Sequence, residues 1–237
     1  MLDTLMEKET PDMVGITGPG DPLVSPGPTL ETLKLVRDKH PDLPLCVTAL
    51  GIGGADSAKA LAELGISHVT LLKDVMSVEA ASKLYAWIRP STKTMPLDQA
   101  AAILLEEQDA SLKAFKAQGL TVKINVTVYP GVNDHEVEAI ATWASEGGAD
   151  YINVQPFLPS DDDDVALDAP DSNMMMDLRD TAGRLIPLVS ILQGCERRVL
   201  CVTELGNKGA NGTPLPKATP EKPNVAVVSE NGMAVDQ

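Results

Sequence analysis

Cysteine is scarce in this chain of 237 residues: there are three, Cys46, Cys195 and Cys201. Three thiols make no disulfide framework at this length, and the expected compartment is a reducing cytoplasm. Aromatic residues are equally thin, 3% of the sequence against 43% for all hydrophobic residues, so Ala, Val, Leu and Ile must fill the core. Positive charge is short as well. Nineteen Lys and Arg face 34 Asp and Glu, a net charge of −15, which argues against a nucleic-acid partner because no basic patch could offset phosphate repulsion. No apolar run approaches the roughly 18 residues of a membrane span, and no signal peptide is visible. No Ser/His/Asp arrangement, Walker loop or zinc spacing appears either.

What is present alternates between two periods. Met13 to Thr17 is a short apolar run ended by Gly18, a strand. Thr29 to His40 sets Leu30, Leu33 and Val36 on one face, with Thr29 as cap, a helix. Strand readings follow at Leu45 to Leu50, His68 to Leu72, Thr121 to Tyr129 and Tyr151 to Leu158. Helix readings follow at Asp56 to Leu64, Val78 to Ile88, Leu97 to Gln118, Asp134 to Gly147 and Ser172 to Ile186. In the last of these, Met174, Leu178, Ala182 and Leu185 are expected to face inward. Strands alternating with helices imply a mostly parallel sheet. A closed eight-stranded barrel needs about 250 residues and eight such units. Five units are traced here, so a partial barrel or an open sheet is expected, with ligands at the C-terminal strand ends.

Residues 207–237 differ in kind. Asn207 to Asn224 is rich in Gly, Pro, Lys and Thr and reads as a linker. Val225-Ala226-Val227-Val228 then reads as a strand, the opening of a further domain over 225–237, after a barrel domain over 1–206.

Several motifs carry two readings. Gly18-Pro19-Gly20-Asp21-Pro22 could let a ligand approach the backbone while Asp21 accepts from an amino group, or it is an ordinary turn with Asp as a cap surrogate. Pro130-Gly131-Val132-Asn133-Asp134 could hold an adenine edge, or it is a turn with Asp134 capping the next helix. Cys195 and Cys201 could ligate a cluster or metal, or they are core thiols; their spacing is not that of a C-x2-C knuckle. Cys46, in mid-strand, reads as core. Asp161 to Asp164 reads as a solvated loop.

Taken together, the Gly-Pro-Gly-Asp-Pro turn, Leu45-Cys46-Val47-Thr48, His68-Val69-Thr70, Lys83-Leu84-Tyr85-Ala86-Trp87-Ile88-Arg89, Val122-Lys123-Ile124-Asn125 and Pro130-Gly131-Val132-Asn133-Asp134 occur in an order that resembles the radical S-adenosylmethionine (SAM) core of the NifB family. The match runs from about residue 13 to about 206. The tail resembles the start of a NifX-like domain. The resemblance implies a partial (β/α)6 TIM-like barrel lacking its first strand. It implies a role in nitrogenase iron–molybdenum cofactor biosynthesis, in which iron–sulfur clusters are fused and a carbide is inserted. SAM and a [4Fe–4S] cluster are the implied cofactors, and iron–sulfur precursors and nitrogenase assembly proteins the implied partners. By the same resemblance Gly18, Pro19, Gly20, Asp21 and Pro22 hold the methionine end of SAM, Thr48 and Asn125 line the same mouth, Val132 lies near adenine, and Cys195 falls at the first cysteine of the late C-x2-C cluster-binding motif, with Cys201 as the substitute available for the second.

Three departures are visible. The C-x3-C-x2-C motif of the family is absent from the sequence. Arg198 stands where the late cysteine pair has its second member, and Leu50 and Asp74 stand where the family has asparagine. Cleavage of SAM by this chain alone is therefore not expected. The leading expectation is a piece of a NifB-like maturase truncated at both ends. A non-catalytic scaffold binding SAM or a cluster is the alternative. A third reading, an aldolase-type barrel, would need Lys73 or Lys123 as its catalytic lysine. Without a first strand, the edge of the Met13–Thr17 strand is expected to be unpaired and the chain poorly soluble.

Overall fold

A computed structural model of the chain describes residues 13–17, 20–90, 95–159, 167–190, 204–205 and 225–228, with Ser190 and the last two segments described by backbone alone. Five strands lie side by side in chain order and all parallel: β1 (Met13–Ile16), β2 (Leu45–Ala49), β3 (His68–Leu72), β4 (Thr121–Val128) and β5 (Tyr151–Pro156). The described helices are α1 (Pro26–Lys39), α2 (Gly54–Glu63), α3 (Val78–Leu84), α4 (Leu97–Ala117), α5 (Val137–Glu146) and α6 (Ser172–Gly183). None of them is long and apolar enough to cross a membrane.

The core follows from the two periods. Alternate strand residues, Val14 and Ile16, Leu45, Val47 and Ala49, Val69 and Leu71, Val122, Ile124, Val126 and Val128, and Ile152 and Val154, all enter one buried cluster. The same cluster takes Leu33 of α1, Leu61 of α2, Leu112 and Phe115 of α4, Ile140 of α5 and Met175 of α6. These five helices thus pack on one face of the sheet, while α3 packs on α4 through Ala80, Ala81 and Ala101. An open doubly wound sheet carries helices on both faces, whereas a barrel keeps its second face inside. This arrangement is the partial TIM-like barrel expected from the sequence.

Element ends differ where local chemistry overrides periodicity. Helix α1 begins at Pro26, ahead of Thr29, because Pro26 occupies a first-turn position that needs no N–H. Helix α3 stops at Leu84, not Ile88: Tyr85 turns extended, and Pro90 disfavours helix for the residues before it. Asp134 to Glu136 forms a separate 3-10 turn ahead of α5. In α6 Ala182 is buried and Met174 and Leu178 pack against the core as expected, Met175 joins them inward, and Leu185 lies beyond the helix and is exposed.

Each edge of the five strands has a neighbour: a single bridge leading to a separate two-stranded sheet at β5, and a sixth strand at β1. Leu188 bridges Ile152 in parallel, and the short β6 (Val189–Ser190) pairs antiparallel with β7 (Glu204–Leu205). At the other edge, β8 (Val225–Val228) lies parallel to β1, from Met13 opposite Val225 to Ile16 opposite Val228. The edge expected to be unpaired is therefore covered. An apolar β-branched run satisfies the ladder groups that an edge strand leaves open.

Candidate functional site

The residues that point away from the helices give the inner face its chemistry. Register sets Thr48 beside Thr70, Thr70 beside Lys123 and Lys123 beside Tyr151. One step toward the C-terminal ends, Leu72 stands beside Asn125 and Asn125 beside Asn153, and beyond them Thr127 stands beside Gln155. Thr70, Lys123, Asn125 and Asn153 are all buried. Asn153 Nδ2 donates to Asn125 Oδ1 at 2.6 Å, and Gln155 Nε2 donates to Thr127 Oγ1 at 3.1 Å. A buried face this polar is costly unless its groups are satisfied by one another or by a ligand.

The mouth above this face is cross-braced. Asp21 accepts from Leu23 N at 2.8 Å with one carboxylate oxygen and from Leu50 N at 2.6 Å with the other. Burial raises the pKa of this carboxyl, and the backbone N–H groups around it pull the other way. Asp21 thereby ties the turn after β1 to the loop after β2. Gly20 has a φ of +91°, which glycine adopts without strain, in open space. Pro22 is buried, and its carbonyl accepts from Thr29 Oγ1. On the far side, α4 holds the same loop: Ser111 Oγ donates to Gly51 O at 2.6 Å, and Glu107 Oε2 accepts from Gly53 N at 3.0 Å.

The turn after β4 is organised by Asn133, which is fully buried. Its Nδ2 donates to Asp74 O and Thr127 O, and its Oδ1 accepts from Tyr129 N. Val132 is half-buried in this turn, with its N–H on Tyr129 O. Asp134 accepts from Gly131 N. Beside it the Asp74 carboxyl accepts from Thr127 N, and burial pushes its pKa up to about 6.

Among the expected site residues, Thr48 and Asn125 share the inner face, Gly20, Asp21 and Pro22 lie at the mouth, and Val132 sits in the turn above β4. Gly18, Pro19, Cys195 and Cys201 lie outside the described residues. Cys46 is on the inner face, where burial pushes its thiol up to about 11, so it is predominantly the neutral thiol at neutral pH. Among the described residues no group of three or more His, Cys, Asp or Glu could hold a metal ion. These residues do not fit a [4Fe–4S] cluster. Lys73, proposed for an aldolase-type mechanism, is buried in the helix layer with its Nζ donating to Gln108 at 2.8 Å. It faces away from the mouth, which counts against that reading.

Sequence reasoning missed Asn153, Gln155 and the loop-holding residues of α4. Asn153 and Gln155 sit two residues apart, a period-two signal, but that signal names a face only once β4 is known to lie alongside.

No protein-family model matches the chain. Its sequence is, however, 36% identical over 233 residues to the curated FeMo cofactor biosynthesis protein NifB of Chlorobaculum tepidum, covering 95% of this chain. The chain is a relative of the NifB proteins. NifB of Klebsiella pneumoniae is 29% identical over 188 residues, covering 77% of this chain, and NifB of Azotobacter vinelandii is 34% identical over 146 residues, covering 62%. The chain spans 55%, 40% and 29% of those three NifB proteins respectively, about half the length or less. Among solved structures, methylornithine synthase (PylB) aligns over 81% of this chain and 60% of its own, at a TM-score of 0.43 and 19% identity. The radical S-adenosylmethionine methyltransferase TsrM from Kitasatospora setae aligns over 65% of this chain and 29% of its own, at a TM-score of 0.40 and 15% identity.

Proposed function

We propose that this chain is a SAM-binding barrel acting in FeMo cofactor biosynthesis, and that it does not cleave SAM by itself. The observation that carries the proposal is the row of buried polar side chains on the inner face, Thr70, Lys123, Asn125 and Asn153, in a relative of NifB. Thr48 and Asn125 offer hydrogen bonds to the ligand from the face, and the turn from Gly18 to Pro22 offers backbone groups to its methionine end. Val132 lies against the adenine. Radical chemistry on SAM is supplied by an iron–sulfur cluster in this family. The sequence has three cysteines, and Cys46, the one that is described, has no group of metal-ligating side chains around it among the described residues, so on this reading the ligand set for that cluster is not assembled by this chain. Iron–sulfur precursors and other nitrogenase assembly proteins are the proposed partners. The barrel over 1–206, the linker and the NifX-like segment are the proposed domains.

Isothermal titration of the full chain with SAM and with S-adenosylhomocysteine tests this. Saturable one-to-one binding is expected, weakened about tenfold by Thr48→Val or Asn125→Leu as a ligand hydrogen bond is lost. Anaerobic reconstitution with iron and sulfide is expected to give no cluster absorbance. Absence of binding overturns the proposal; an intact [4Fe–4S] spectrum with release of 5′-deoxyadenosine overturns its second half.

The acidic balance and the unsuited cysteine also favour one variant of the reading: a carrier that holds SAM for a partner without turning it over. Titration alone supports both forms, and transfer of bound SAM to a cluster-loaded partner separates them.

A further inference from the structure

We infer that Asn153 sets the hydrogen-bonding polarity of the inner face, turning Asn125 into a donor toward its ligand. The inference rests on the SAM-binding reading above and names a positioning residue for it.

Strands β4 and β5 place Asn125 opposite Asn153 and Thr127 opposite Gln155. A side-chain amide carries two N–H donors on nitrogen and two lone pairs on oxygen. Asn153 uses both of its donors within the sheet face: one goes to Asn125 Oδ1 at 2.6 Å, the other to Gln155 Oε1 at 3.3 Å. Gln155 then passes its own N–H to Thr127 Oγ1 at 3.1 Å. The series runs one way. Asn125 and Gln155 have their oxygens engaged by Asn153, and Thr127 has its oxygen engaged by Gln155. What remains for a ligand is the pair of N–H groups on Asn125, the second N–H of Gln155, the hydroxyl proton of Thr127 and the single carbonyl oxygen of Asn153.

That remainder is rich in donors. It suits an electron-rich ligand atom, such as a carboxylate or ribose hydroxyl oxygen, and rejects a ligand that offers N–H at the same point. The orientation is stiff because Asn125 and Asn153 are each only 2% exposed. Turning either amide over would break a buried hydrogen bond with little water to replace it. Asn153 does not itself have to touch the ligand: it acts by fixing which end of Asn125 the ligand meets.

Asn153→Asp tests the inference. A carboxylate in place of this amide only accepts, so Asn125 must turn its Nδ2 toward it and present its oxygen to the ligand. At pH 8, titration of the full chain with S-adenosylhomocysteine is expected to show affinity about tenfold weaker than wild type, with an unchanged one-to-one stoichiometry. If Asn125 presents its oxygen in the wild type, the new carboxylate is accommodated and affinity stays the same, which overturns the inference. A second measurement needs no variant. In the wild-type chain labelled with 15N, the side-chain amide protons of Asn125 are expected to shift and gain exchange protection when S-adenosylhomocysteine is added. Protection appearing on the Asn153 amide instead overturns the inference. A wild-type chain that binds no S-adenosylhomocysteine sinks the parent reading as well; wild-type binding with an indifferent Asn153→Asp sinks this inference alone.

Discussion

At the scale of single residues, the turn after β4 shows a conflict between a hydrogen bond and a charge. Asp74 must accept from Thr127 N, which an amide oxygen would do equally well, yet it carries an ionisable second oxygen in the same buried place. Its pKa of about 6 lies above the unfolded value of 3.8, so the folded state binds more protons between the two. Stability from this group is therefore highest below about pH 4 and is lost as pH rises through 6. Asp74→Asn keeps the acceptor and removes the charge. It is expected to raise stability at pH 7.5 by about 1–3 kcal/mol and to flatten the pH dependence between 4 and 7, measured by urea unfolding at each pH. Unchanged stability at pH 7.5 would mean that the carboxylate is solvated after all. How far single residues could be read from sequence varied with how local their partners are. Asp21, Thr48 and Asn125 stood out through their motifs, and Asp74 as a departure from the family pattern. Asn133 sat in a recognised turn, but its three hydrogen bonds reach Asp74, Thr127 and Tyr129, and the first two lie outside that turn.

At the scale of elements, α4 carries more than packing. Its apolar stripe, with Leu104, Leu112 and Phe115, enters the interior, and its polar positions Glu107, Gln108 and Ser111 reach the loop after β2 and the end of β3. Gln108 also takes the Nζ of Lys73, whose pKa burial lowers to about 8. Ser111→Ala removes a buried 2.6 Å hydrogen bond to Gly51 O and is expected to cost about 1–2 kcal/mol in urea unfolding, with a weaker SAM affinity as the loop loosens. A variant as stable as wild type would show that the brace is idle. The helix itself was legible over nearly its full length, since twenty-one residues of apolar periodicity outweigh any local ambiguity. Its loop contacts were not legible: the pairs are separated by 36 to 60 residues, and no local rule joins them. Helix α3 was overread for the opposite reason. Trp87 and Ile88 continue an apolar pattern, but Trp87 is 72% exposed, past a helix that has already ended.

At the scale of the whole molecule, the fold class was the most legible feature, because parallel order follows from strict strand–helix alternation. The partner of β1 was not, since β8 returns from more than two hundred residues away to pair with it. Removing residues 207–237 is expected to bare the β1 edge and drive self-association, read by size-exclusion chromatography with light scattering. A truncated chain that stays monomeric at the wild-type concentration would show that the edge does not need its cover. The one-sided placement of the helices has a wider consequence. Along β4 the even positions from Val122 to Val128 enter the core under the helices, and the odd positions from Lys123 to Thr127 lie on the opposite, inner face. The two sets share a backbone but point to opposite sides of the sheet, so a substitution in one disturbs the other less than it disturbs its own face. A lineage could change what this barrel holds, residue by residue, while keeping the same interior, and its descendants would still be recognisable as kin.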